Sequence, residues 1–102
     1  MSEFVRICGK GELPAVGQVA EMFIGTTPYC IANVAGAFSV LGGICPHREG
    51  PLGQGTIEEG HVICPWHAWA FDVKSGVSAH STNVKVEVYP VKVIEEDVLI
   101  EI

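Results

Sequence analysis

Two short boxes hold the residues best suited to chemistry: Cys45-Pro46-His47 and Cys64-Pro65-Trp66-His67. Sixteen residues separate His47 from Cys64. Two thiols and two imidazoles make four potential metal ligands. Two centres could use them. One is a single tetrahedral zinc, which would make the chain a zinc-stabilised binding module without redox activity. The other is a [2Fe–2S] cluster with two cysteines on one iron and two histidines on the other. Structural zinc sites usually place two or more residues between paired ligands. Cys45 and His47 have one residue between them, so their side chains tend to diverge. Divergence suits a cluster. The Cα atoms of that pair lie at most about 7 Å apart. The short thiolate reaches an inner iron and the longer imidazole an outer one. Geometry favours the cluster over the zinc.

The elements that must position these boxes are short strands. Gly (12) and Pro (6) recur along the 102 residues and interrupt any long helix. Glu3–Cys8 opens with a strand, and Glu12–Gly17 reads as a loop. Gln18–Ile24 and Tyr29–Val34 pair around Gly25-Thr26-Thr27-Pro28, and Ala35-Gly36 turns the chain into Phe38–Leu41. Glu58-Glu59-Gly60 turns Thr56-Ile57 back into His61–Ile63. Trp69–Val73 precedes the turn Lys74-Ser75-Gly76. Lys85–Val93 alternates charged and apolar residues as one strand, and Glu95-Glu96-Asp97 turns it into Val98–Ile102. Many short strands joined by turns predict an all-β domain. Residues 1–102 are expected to form a single domain, with metal-binding loops over about residues 44–72 inserted in a β base.

Composition narrows the partners. Hydrophobic residues make up 48% and charged residues 18%, which excludes disorder for the body of the chain. Twelve Asp and Glu against six Lys and Arg give a net charge of −6. An acidic chain without a basic block repels phosphate backbones, so no nucleic-acid partner is expected. No apolar run approaches the roughly 20 residues that span a bilayer, and no leader pattern opens the chain. The expectation is a cytoplasmic protein with no membrane contact and four unpaired cysteines. Cys8 and Cys30 lie in apolar strand patterns as core residues. His61 falls on a strand, His80 in an exposed loop and Trp69 in the core. Gly9-Lys10-Gly11 and Gly53-Gln54-Gly55 lack the context of a phosphate-binding fingerprint.

The paired boxes resemble those of the Rieske family. The flanking residues agree: Arg48, Gly50 and Leu52 after the first box, and Ala68-Trp69-x-Phe71-Asp72 after the second. The Lys74-Ser75-Gly76 turn and Tyr89-Pro90-Val91 also look like the family's. The resemblance implies three antiparallel sheets with a small cluster-binding subdomain at one tip. It implies one [2Fe–2S] cluster per chain. Cys45 and Cys64 would hold the inner iron, with His47 and His67 on the outer iron near solvent. Pro46, Arg48, Pro65 and Trp66 would form the cluster's surroundings. Arg48 and Glu49 adjoin this tip as docking charges or as ordinary solvated ones.

High-potential respiratory members carry a disulfide between the two loops. Its cysteines would fall at Gly50 and Trp66 here, so that bridge is absent. Ala68 and Trp69 also lack the hydroxyl donors of those members. Fewer donors to sulfur stabilise the more negative, reduced state less. The midpoint is therefore expected toward the low end of the Rieske span of roughly −150 to +300 mV. A redox titration checks this. No proline stands in Ser78–Asn83, where many members have a shielding proline segment.

Rieske oxygenases add a domain with a 2-His-1-carboxylate iron site. Only His61 and His80 remain here beyond the boxes. The resemblance implies a soluble electron carrier with no catalytic residue and no small-molecule substrate of its own. Its donor would be a flavin-containing NAD(P)H reductase, and its acceptor a terminal oxygenase. Its alternative is the small Rieske subunit of an NAD(P)H-dependent nitrite reductase, where the acceptor is another reductase. A redox sensor would require partner affinity to change with cluster oxidation.

Overall fold

A computed structural model describes residues 3–46, 49–66, 68–81 and 83–102. Ten strands occur among them: β1 Phe4–Gly9, β2 Val19–Ile24, β3 Thr27–Val34, β4 Ala37–Gly42, β5 Thr56–Glu58, β6 His61–Ile63, β7 Ala70–Asp72, β8 Val88–Tyr89, β9 Val91–Ile94 and β10 Asp97–Glu101. They form three antiparallel sheets, ordered β1-β10-β9, β2-β3-β4-β8 and β5-β6-β7. The only helical pieces among the described residues are two short 3-10 turns, Lys10–Glu12 and Leu52–Gln54. No described helix is long and apolar enough to cross a membrane.

The turns follow local backbone chemistry. Ala35-Gly36 and Glu59-Gly60 both place two successive residues at positive φ. That geometry matches the right-handed twist of the strands they join. The β2–β3 turn is tighter than expected: Gly25-Thr26 alone makes it, and Thr27 and Pro28 open β3, with Pro28 opposite Phe23. The alternation over 85–93 predicts one strand, but the chain forms two. Pro90 has no N–H for a ladder and separates β8, paired with β4, from β9, paired with β10. Asp97, expected in the turn, pairs with Ile94 as the first residue of β10.

β3 explains where the core sits. Its side chains alternate between two buried clusters, as a period of two requires. Cys30 and Ala32 join Leu41, Leu52, Val62, Phe71, Cys45 and Cys64 on one face. Tyr29 and Ile31 join Ile7, Val40, Val98 and Ile100 on the other. The central sheet is thus covered on both faces. One face receives β1 and β10; the other receives the small sheet and the two cysteine boxes.

Cys8 and Cys30 are free, buried core residues, as expected. Burial pushes the Cys30 thiol up to about 12, with Glu21 adding to the effect. This has a consequence at alkaline pH. Between about 9 and about 12 the unfolded chain loses this proton while the folded chain keeps it. Stability present below pH 9 is therefore lost as pH rises through that window, by up to about 1.4 kcal/mol per pH unit. Denaturant titrations at increasing pH should show the slope, and Cys30→Val should remove this residue's share.

Candidate metal centre

Each box sits at the tip of a β-hairpin, and the two tips are closed in the same way. Beyond β4 the first hairpin continues through Leu52 N–H to Gly43 O (3.0 Å) and an antiparallel Ile44–Pro51 bridge. It ends where Cys45 N–H donates to Gly50 O (2.9 Å). The second hairpin is β6–β7, with Ile63 opposite Ala70, and ends where Cys64 N–H donates to Trp69 O (2.8 Å). Each cysteine therefore bonds to the carbonyl five residues on. Each loop also turns through a left-handed residue at its fourth position, Glu49 (φ 58°) and Ala68 (φ 56°). Neither is Gly or Asn, so no residue type marks these conformations in advance.

The hairpins bring the two cysteines together. Both are almost wholly buried, at 0% and 1% exposure, in the same core cluster. Burial pushes the Cys64 thiol up, the Trp66 N–H donating to it pulls it down, and the adjoining Cys45 thiol raises it again. The Cys45 N–H bonds to Gly50 O, and Gly50 lies against the Cys64 sulfur, so the two loops meet beside these thiols. Cys30, in the same cluster, turns its thiol to Leu52 O at 3.7 Å instead.

Pro46 and Pro65 lie in the two turns, exposed beside their cysteines. Trp66 is half-exposed at the second tip. Trp69 packs as core, as expected, with Phe71 at 6.5 Å and His80 at 5.4 Å between ring centroids. His61 lies on β6 and His80 is exposed, both as expected. His47, Arg48 and His67 lie outside the described residues. The proline-free segment after the Gly76 turn lies along β7, through a Phe71–Ser78 bridge and Ala79 N–H to Ala70 O (2.9 Å).

The sequence alone did not reveal what Gly50 does. A Cβ there would stand 2.9 Å from Cys64 Sγ, closer than real side chains pack. Two buried thiols in one cluster, with space beside one sulfur that only glycine leaves free, form a donor set for a soft metal centre. They fit an iron–sulfur cluster.

Comparison with known proteins agrees with this geometry. The Rieske [2Fe–2S] domain family matches residues 3–95. The ferredoxin component of the alkene monooxygenase system of Xanthobacter autotrophicus is 32% identical over 99 residues, covering 96% of this chain and 80% of the relative. The ferredoxin component of biphenyl 2,3-dioxygenase of Rhodococcus jostii is 31% identical over 98 residues, covering 95% and 91%. The solved Sphingomonas yanoikuyae B1 ferredoxin shares the fold, with a TM-score of 0.85 at 23% identity over 97% of this chain and 98% of that one. With the paired thiols at matching hairpin tips, the match over residues 3–95 shows that this chain belongs to the Rieske [2Fe–2S] domain family.

Proposed function

We propose that the chain works as a single-domain, one-electron carrier between a flavin-containing NAD(P)H reductase and a terminal oxygenase. The observation that carries this reading is the pair of buried thiols placed in one core cluster by two matching hairpin ends. Cys45 and Cys64 would hold one iron of the cluster, and His47 and His67 the other. When bound, the cluster takes up and releases one electron at a time. The chain's own part is to keep the ligands still. Each thiol is anchored by a backbone bond across its hairpin, and prolines follow both cysteines, restricting the loops.

Further support comes from size. The chain covers 80% and 91% of two relatives named as ferredoxin components. In this role the chain has no substrate of its own and acts through two protein partners in the cytoplasm. Its net charge of −6 favours partners with basic docking surfaces.

Reconstitution tests this. The purified protein is loaded with iron and sulfide, then mixed with NAD(P)H and candidate flavin reductases and oxygenases. The expected result is bleaching of the visible bands by a reductase and their return when an oxygenase and its substrate are added. A colourless protein with one zinc per chain would contradict the reading.

A further inference from the structure

Gly50 is not among the glycines at positive φ, so its backbone is open to any residue. What requires glycine is space. Besides the Cys64 sulfur at 2.9 Å, a Cβ at Gly50 would meet Cγ and Cβ of Trp66 at 3.0 and 3.2 Å. The root of the Trp66 side chain thus occupies the place of a side chain on the opposite hairpin. Trp66 lies two residues after Cys64, in the turn that carries that sulfur. Trp66 is half-exposed, with the root of its side chain against Gly50.

We propose that Trp66 is a clasp: seated on Gly50 of the other hairpin, it locks the two tips together and holds the backbone around the Cys64 sulfur. Trp66 is then a positioning residue, acting on the centre through Cys64, and the inference rests on the cluster reading above. Loop tips are among the first parts of a fold to open. Among the described residues, the bond from Cys64 N–H to Trp69 O closes the base of this loop. An aromatic side chain resting on the facing loop opposes opening at the other end. A donor held on a thiolate stabilises the more negative, reduced form. Loosening the clasp should both release iron and lower the midpoint.

The test compares wild type, W66A, W66F and G50A as cluster-loaded proteins. Iron release to a chelator and the midpoint potential are measured. W66A and G50A should release iron about tenfold faster, the scale of a lost supporting contact at a metal site. In W66A the reduced-to-oxidised ratio at fixed poise should fall about tenfold, equivalent to about 59 mV for one electron. W66F keeps a flat ring for the Gly50 seat and should restore both readings. Wild-type release and midpoint in W66A, or a W66F no better than W66A, would overturn the clasp alone. A wild-type protein that loads no iron and sulfide would remove the cluster reading and the clasp with it.

Discussion

Replacing Cys64 by serine is expected to leave a folded protein that holds no stable cluster. The thiol is buried at the end of the β6–β7 hairpin, against Cys45, and the hairpin bond uses only its backbone. Serine preserves that bond and the local volume. Its hydroxyl is a poor ligand for iron, which prefers thiolate in such clusters. Iron content after reconstitution should fall at least about tenfold, beyond the loss seen for supporting residues. Cys30→Val is the control. Cys30 is equally buried in the same cluster of side chains, but its thiol faces Leu52 O. That variant should load fully. Iron and sulfide assays on the two proteins separate a ligand from a core cysteine; equal loading would remove Cys64 from the site.

The second large effect is on stability. Gly76→Ala should destabilise the protein by about 2–5 kcal/mol. That figure combines about 1–2 kcal/mol for a left-handed alanine with about 1–3 kcal/mol for overpacking. Gly76 has φ 76°, and a Cβ there would collide with the carbonyl oxygen of Val86. The same glycine donates to Asp72 O (2.8 Å) and accepts from Val86 N–H (2.9 Å). It therefore pins the 72–76 turn to the strand-like segment before β8. Asp72 reinforces the turn, its carboxylate accepting Lys74 N–H (2.8 Å) and Ser75 N–H (3.0 Å). Those bonds hold the Asp72 carboxyl below its ordinary range. Gly60→Ala is the matched comparison. Gly60 has φ 77° with nothing within 4 Å of a new Cβ, so only the backbone cost of about 1–2 kcal/mol applies. Denaturant unfolding of both variants checks the difference. Equal losses would show that the Val86 carbonyl yields freely.

The contrast between these two glycines shows what a sequence conveys. Gly60 and Gly76 both stand in sequences that read as turns, and both are turns. Which one has a carbonyl against it depends on a segment ten residues away, which no local pattern encodes. The metal boxes were legible because ligand chemistry restricts residue types and because one residue between Cys45 and His47 disfavours a single ion. The all-β class was legible from glycine, proline and short apolar runs. The break at Pro90 was written in the sequence, yet the strong alternation on either side of it read as one strand. The shared closure of the two tips was not legible. It depends on Glu49 and Ala68 adopting a left-handed backbone, which nothing in their chemistry favours. Nor was the role of Gly50, whose missing side chain matters only because Cys64 and Trp66 arrive from another hairpin.

In the proposed ligation two sulfurs of the chain hold one iron and two imidazole nitrogens hold the other. Pulsed electron paramagnetic resonance on reduced protein carrying 15N-labelled histidine tests it most directly. Two strongly coupled histidine nitrogens on the reduced iron, from His47 and His67, are the expected result. A reduced centre showing no directly bound nitrogen, or only one, would contradict it.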